Sequence, residues 1–387
     1  MPVLNRAAEM QEQVAEWRRH LHENPELLYD VHDTAAFVAE KLRSFGCDTV
    51  GAGIGRTGVV GIIKGRMGEG PVIGFRADMD ALPIFETSGK AWASRIPGKA
   101  HSCGHDGHTA MLLGAAQYLA ETRNFKGSVA VIFQPAEEGG AGALAMIEDG
   151  FLETYGISEV YGMHNAPGLP LGQFAIRKGS VMAAADTFEI TVTGRGSHAA
   201  QPHLSIDPVL TAGHIVVALQ SIVSRQTDPL KSLVVTVASI HGGDANNVIP
   251  DTVKMGGTVR TLLPETRDFA ERRLKEVVQA TALAHGATAE ILYRRGYPVT
   301  FNHAAETDFA AGVAGKVGGP NSVDTTMAPH MGAEDFSYML ERRPGAFIFI
   351  GNGDTAGLHN PAYDFNDEAL PYGISYWVAL AETALAA

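Results

Sequence analysis

Val129-Ala130-Val131-Ile132-Phe133 is an unbroken apolar run, and directly behind it stand Gln134-Pro135-Ala136-Glu137-Glu138-Gly139-Gly140. Five apolar residues with no polar alternation describe a strand covered on both faces, as strands in a helix-flanked sheet are. Similar short runs occur at Val59-Val60-Gly61-Ile62-Ile63, Val72-Ile73-Gly74-Phe75, Glu159-Val160-Tyr161-Gly162-Met163 and Ala346-Phe347-Ile348-Phe349-Ile350. Segments of helical spacing lie around them: a surface helix from Glu9 to Leu21, then Thr34 to Phe45 with Gly46 as its stop. Further helices are expected from about Thr109 to Thr122, from Gly142 to Glu148, and from Pro371 to Ala386 at the end. This alternation predicts an α/β fold with helices on both faces of the sheet.

The character changes near Ala185. Thr187-Phe188-Glu189-Ile190-Thr191-Val192-Thr193 alternates polar with apolar, which suits a strand with one wet face. A helix from Pro208 to Ser224, strands at Leu233 to Ile240 and Thr252 to Thr261, a helix from Pro264 to His285 and a strand from Ala287 to Tyr293 follow. The order strand-helix-strand-strand-helix-strand is that of a small ferredoxin-like α+β unit. Buried-strand character resumes afterwards, so residues 185–292 are expected to be inserted between 1–184 and 293–387.

With 387 residues, 45% of them hydrophobic, the chain is long enough for two cores. A net charge of -13 and no Lys/Arg run exclude general nucleic-acid binding, which needs a basic face. Eighteen consecutive apolar residues occur nowhere, so no spanning helix is expected. The opening Met1-Pro2-Val3-Leu4-Asn5-Arg6 shows no apolar leader, and a cytoplasmic protein is expected. Its two cysteines, Cys47 and Cys103, are then free thiols.

The densest chemical signal is His101-Ser102-Cys103-Gly104-His105-Asp106-Gly107-His108. Read as an extended segment, it projects Cys103 and His105 to one side, and a thiolate with an imidazole suits a borderline-soft divalent ion. Adjacent carboxylates at Glu137 and Glu138 repel each other unless a cation stands between them; one would bind it and the other take a proton from the attacking water. His164 ends a strand and His359 lies in the loop Gly357-Leu358-His359-Asn360-Pro361. Taken singly, either histidine is an ordinary hydrogen-bonded residue. Their weight comes from the carboxyl ends of the strands, where Asp80, Glu137, Glu138 and His164 would gather as ligand-binding groups do in open α/β sheets. Asp78 and Asp80, in Arg76-Ala77-Asp78-Met79-Asp80, could orient a ligand from behind or merely make a turn. Gly53, Gly55 and Gly58 fit a dinucleotide-binding spacing, but they lead into a strand rather than a helix, so they read as a turn.

Together these segments resemble the M20 metallopeptidase family, in its aminoacylase, hippurate hydrolase and auxin-conjugate hydrolase branch. The resemblance spans nearly the whole chain and includes Arg18-Arg19-His20-Leu21-His22-Glu23-Asn24-Pro25-Glu26, Arg76 to Pro83, Gly196-Ser197-His198-Ala199-Ala200, Asn247-Val248-Ile249-Pro250 and Gly332-Ala333-Glu334-Asp335-Phe336. It implies a mixed-sheet, zinc-peptidase-like catalytic domain with the inserted unit as lid and dimerisation domain. It also implies two divalent metal ions (zinc, manganese, cobalt or nickel) on Cys103, His105, Glu138, His164 and His359, with Cys103 between them. Glu137 becomes the general base, Asp80 the supporting aspartate, and His198 an oxyanion-stabilising group reaching into a partner subunit of a homodimer or homotetramer. Asn247 and Arg260 fall on positions that hold the substrate carboxylate, and Gly332 on a further substrate-binding position; a guanidinium suits a carboxylate because it donates two parallel hydrogen bonds. The wider family's ligand histidine two residues before the aspartate is replaced here by Asp78, as this branch does, with His105 supplying the imidazole.

The implied activity is hydrolysis of the amide bond of N-acyl amino acids, with a dipeptidase or an N-acetyl-diaminopimelate deacetylase as near neighbours. A cysteine hydrolase with Cys103 as nucleophile would leave Glu137 and Glu138 without a task. A non-catalytic binder of small acids would have no use for Glu137.

Overall fold

The computed structural model describes residues 3–386. The chain divides into two units, Met1–Gly179 with Phe301–Ala328 and Asp335–Ala387, and Ser180–Thr300 with Pro329–Glu334.

The first unit is built on an eight-stranded mixed sheet. Its first five strands in chain order are β1 (Thr49–Ile54), β2 (Gly58–Lys64), β3 (Val72–Asp78), β4 (Ser128–Gln134) and β5 (Ile157–Ala166). Spatially they run β1-β2-β4-β3-β5, followed by Gly345–Gly351, Phe174–Ala175 and Val323–Asp324. Strands β4, β3, β5 and Gly345–Gly351 are mutually parallel, whereas β1 and β2 form an antiparallel hairpin on the edge beside β4. The glycine-spaced segment turns that hairpin. Gly55 has φ +55°, and a Cβ there would stand 2.6 Å from the Met146 nitrogen.

Apart from its first residue, β4 is buried along its length, as its uninterrupted apolar run requires. Pairing of Asp78 with Gln134 ends β3 and β4 side by side, so the residues that follow each strand emerge together. The His105–Thr122 helix is buried on nearly every side against the Gln11–Glu23 and Leu370–Ala384 helices. A helix enclosed in this way shows little amphipathic contrast, and its first turn is already part of the site. It therefore begins four residues before the expected Thr109.

The N-terminal segment is two helices, Asn5–Glu9 and Gln11–Glu23, and the second lies at the surface as expected: Glu12, Gln13, Glu16 and His20 are exposed, while Val14, Ala15, Trp17, Arg18, Leu21 and His22 are buried. Arg18 and His22 tolerate burial because carboxylates meet them there. The Ala304–Gly318 helix was not foreseen, because its buried stripe of Thr307, Ala310, Val313, Ala314 and Val317 is mostly small residues.

In the second unit, strands Ala184–Thr193, Leu233–His241, Thr252–Thr261 and Thr288–Arg295 form an antiparallel sheet. Spatially the first strand lies between the third and fourth, and the second lies outside the third. With helices Pro208–Ser221 and Pro264–Ala284 as the two crossovers, this is the ferredoxin-like arrangement. Asp207 caps the first helix by accepting from the Val209 and Leu210 amides, with Pro208 at the first helical position. The α-helical part stops at Ser221 and continues as a π-helical turn, Ile222–Gln226, correcting the expected end at Ser224. Phe188, Ile190 and Val192 point into the core with Ile215, Leu219, Leu274 and Val278.

A buried ion pair lies in this second unit. Asp186 accepts from Arg267 Nη2 at 2.5 Å, from Arg267 Nε at 3.0 Å, from the Tyr293 hydroxyl at 2.8 Å and from the Gly296 amide at 3.1 Å. Removing one partner of a buried ion pair strands the other, at a cost of about 3–5 kcal/mol. Asp186→Ala is accordingly expected to lose about that much stability in denaturant unfolding followed by circular dichroism; a change below about 1 kcal/mol would show that water already reaches the pair.

Candidate metal centre

The residues beyond β3, β4 and β5 meet at the edge where these strands end. Asp80, two residues past β3, is 1% exposed, and its carboxylate accepts the Glu137 amide at 2.9 Å and the Glu138 amide at 3.1 Å. One side chain thus fixes the turn that carries both glutamates. Ala136, just before them, takes φ +54°, and its amide is held by the Leu28 carbonyl at 3.1 Å.

Cys103 and His105 do not lie on an extended segment, contrary to the expectation from their spacing. Gly104 stands between them with φ +88°, and His105 is the first residue of its helix. A Cβ on Gly104 would lie 2.3 Å from Asn165 Nδ2 and 2.6 Å from the Tyr363 hydroxyl, so the turn admits only glycine. Asn165 anchors it by donating from Nδ2 to the Cys103 carbonyl at 2.7 Å, and Tyr363 donates to Asn165 Oδ1 at 2.6 Å. The His359 amide binds the Ser102 carbonyl at 2.7 Å, bringing the far loop to the same place.

Five expected ligands converge in consequence. Donor atoms of Cys103, His105 and His164 lie within 4.8 Å of one another, and so do those of Cys103, Glu138 and His359. Cys103 belongs to both groups. Its sulfur is 3.4 Å from His164 Nε2, while His359 Nε2 is 3.4 Å and His105 Nε2 3.9 Å from Glu138 Oε1. Glu137, 7% exposed, shares a third group with His105 and Glu138.

Hydrogen bonds explain which histidines face the centre. His164 donates from Nδ1 to the Asn165 carbonyl at 2.7 Å, which leaves Nε2 with its lone pair toward Cys103. His108 donates from Nδ1 to Asp78 at 2.6 Å and accepts the Asn165 amide on Nε2 at 3.0 Å. Both its nitrogens are spent, so the proximity of Asp78, His105 and His108 is a hydrogen-bonded support. Asp78 is further held by Arg76 at 2.7 Å, and Arg76 reaches Gln134 at 2.8 Å and Asp335 at 3.0 Å. Arg76, Gln134, His108, Asp335 and Asn165 had no assigned role from sequence. The available signal was a lone arginine following the apolar Val72-Ile73-Gly74-Phe75 run.

The donor set fits divalent cations. Both His105 nitrogens and Glu138 Oε1 are buried without a hydrogen-bond partner, and the nearest carboxylate oxygens to His105, on Asp78 and Asp80, are 3.6 Å away. Burial opposes a cation on His105, yet Asp78, Cys103 and Asp80 outweigh it and push its pKa well above the imidazole range. Cys103 and Glu138 raise His359 to about 10. Burial pushes the Cys103 thiol up, and it holds His164 well below its usual value and neutral. Burial works against the Glu138 carboxylate, but His359 and His105 keep it low.

Two donor groups sharing a thiol, with a buried glutamate beside them, define the chemistry of a metallohydrolase. Peptidase family M20/M25/M40 matches residues 74–383. The chain is 41% identical over 381 residues to hippurate hydrolase of Campylobacter jejuni, spanning 98% of this chain and 99% of that one. It is 42% identical over 362 residues to N-acetyl-L-cysteine deacetylase of Bacillus subtilis, spanning 93% and 85%. A crystal structure of a dinuclear metal-binding M20 peptidase from Bacillus subtilis superimposes with a TM-score of 0.86 at 36% identity, covering 98% of this chain and 99% of that one. The chain belongs to the M20 peptidase family and is a hydrolase.

Within the second unit the expected substrate residues form two sets. Arg260 pairs with Ala185, and the Gly332 carbonyl accepts the Ala183 amide at 2.8 Å, so both lie at the start of the Ala184–Thr193 strand. His198 pairs with Val248, and the Ala199 amide donates to the Asn247 carbonyl at 2.9 Å, past that strand's other end. Strand rise puts about 26 Å between Ala185 and Thr193.

An ion held by Cys103, His105 and His359 would displace the protons that their raised pKa values favour. Loading zinc into metal-stripped protein is expected to release protons, and its apparent affinity should rise with pH below about 10, where His359 titrates. Calorimetry in buffers of different ionisation enthalpy measures this; uptake that is independent of pH and releases no proton would contradict it.

Proposed function

We propose that this enzyme hydrolyses the amide bond of N-acyl amino acids, yielding a carboxylic acid and a free amino acid. The observation that carries the reading is the pair of three-donor groups joined at Cys103, with Glu137 beside them. The relatives narrow the substrate: hippurate hydrolase and N-acetyl-L-cysteine deacetylase are named for substrates that share an N-acylated amino acid but differ in acyl group.

In this reading Cys103, His105, Glu138, His164 and His359 hold two divalent ions, zinc, manganese, cobalt or nickel. When bound, the ions supply Lewis acidity that makes water a better nucleophile and polarises the acyl carbonyl. Glu137 takes the proton of the attacking water and returns it to the leaving nitrogen. Asp80 keeps the Glu137 carboxylate aimed by holding its backbone amide. Arg260 and Gly332 receive the substrate's amino-acid end. His198 steadies the charge that develops on the acyl oxygen, and Asn247 joins Arg260 in holding the substrate carboxylate.

The wide spacing of Arg260 and Gly332 from His198 and Asn247 supports a homodimer or homotetramer in which the latter pair serves a neighbouring copy. A nucleophilic role for Cys103 is disfavoured because burial pushes its thiol up, away from thiolate.

Glu137→Gln is expected to retain both ions by elemental analysis while hippurate and N-acetyl amino acid turnover falls about 10²–10⁴-fold. Unchanged turnover would remove Glu137 from the role. Mixing inactive Glu137→Gln and His198→Ala proteins, with subunit exchange, should recover activity through hybrid sites; failure to recover it in verified hybrids would put His198 to work in its own subunit.

A further inference from the structure

The segment Arg18–Glu26 has no part in the chemistry above, yet it contacts residues that adjoin His105 and Asp80. Arg18 and His22 stand one turn apart on the Gln11–Glu23 helix, both fully buried. His22 Nδ1 lies 2.7 Å from Asp106 Oδ2, and its Nε2 lies 3.2 Å from Glu86 Oε1. Arg18 approaches the same Asp106 oxygen at 3.6 Å and binds Asp364 at 2.9 Å and Asp367 at 2.7 Å.

Asp106 adjoins an expected ligand, and Glu86 is linked through its neighbour to the loop of another. Asp106 follows His105 in the first helical turn. Glu86 belongs to the irregular segment between Leu82 and Ala100, where it also accepts the Ser94 amide at 2.7 Å. Its neighbour Thr87 donates its amide to the Pro361 carbonyl at 2.7 Å, two residues past His359. Just beyond His22, the Glu26 carbonyl accepts the Ala81 amide at 2.8 Å and the Leu28 carbonyl accepts that of Ala136, next to Asp80 and Glu137 respectively.

A neutral imidazole could donate to only one of the two carboxylates. Burial opposes the His22 cation, but Asp106 and Glu86 overcome it and raise its pKa to about 9, so at neutral pH both nitrogens donate.

We propose that His22 is a positioning residue of the metal centre: its ring, with one nitrogen against each carboxylate, ties Asp106, and with it the turn that presents His105, to the Glu86–Thr87 segment that braces the His359 loop. This rests on the assignment of Cys103, His105, Glu138, His164 and His359 as ligands. A buried pair serving stability alone would make the same contacts, so the test must read the centre itself.

Metal-stripped wild type, His22→Gln and Glu86→Gln are titrated with cobalt(II), whose visible absorption reports ligand geometry, and then assayed when saturated with ion. Groups that orient metal ligands from behind typically contribute 10–100-fold in affinity or activity. His22→Gln is expected to bind cobalt about 10–100-fold more weakly with an altered band, and to lose kcat by a similar factor at unchanged KM. Glu86→Gln leaves the His22–Asp106 bond intact and should shift both in the same direction by less. Should His22→Gln fail to fold, Glu86→Gln decides alone. Folded variants with wild-type cobalt affinity, band and kcat, differing only in melting temperature, would overturn the proposal while leaving the ligand assignment standing. Wild type that takes up no cobalt would overturn both.

Discussion

Negative charge in a dry place must be answered by positive charge, and the first unit answers it in two different ways. Asp78 and Asp335 share Arg76, while Asp106 is met by His22 and Arg18. The guanidinium charges of Arg76 and Arg18 are permanent parts of the chain. Around Cys103 and Glu138 the arrangement differs: the positive charges facing them are protons on His105 and His359. Protons on imidazoles exchange, so this is the place where a metal ion can replace them. Moving an unpaired carboxylate out of water costs several kcal/mol after relaxation. That cost makes one cluster rigid scaffold and leaves the other ready for exchangeable cations.

Hydrogen bonding then selects which lone pairs are offered. Asn165 is the hub: its side chain holds the Cys103 carbonyl, its amide occupies His108 Nε2, and its carbonyl takes the proton of His164 Nδ1. Two of the non-glycine residues with positive φ lie at the same place. Ala136 and His359 both adopt positive φ, at 54° and 61°, although neither is glycine. Such conformations cost about 1–3 kcal/mol each and persist where surrounding bonds over-determine them; here the Leu28 and Ser102 carbonyls do so.

The second unit has a different economy. Its core is closed by ordinary apolar packing around Phe188 and Ile190, and Asp186 is satisfied internally by Arg267. Arg260 and Gly332 lie at the start of its Ala184–Thr193 strand, and His198 and Asn247 past the other end.

Much of this was legible in the residues alone. Apolar runs without alternation marked the buried strands, strict alternation marked the wet-faced strand at Thr187–Thr193, and Pro208 marked a helix start, because these depend on local periodicity and local backbone chemistry. Cys103, His105, Glu137 and Glu138 stood out because thiol, imidazole and carboxylates in such density have few other uses. What local pattern could not supply was everything created by distant chain coming together: that Gly104 bends so that Cys103 and His105 meet from different elements, that His108 is consumed by Asp78 and Asn165, that Arg76 lies between residues 78 and 335, and that His22 spans Asp106 and Glu86. Burial and hydrogen-bond direction are properties of neighbours in space, and a side chain's neighbours exist only once the sheet has closed.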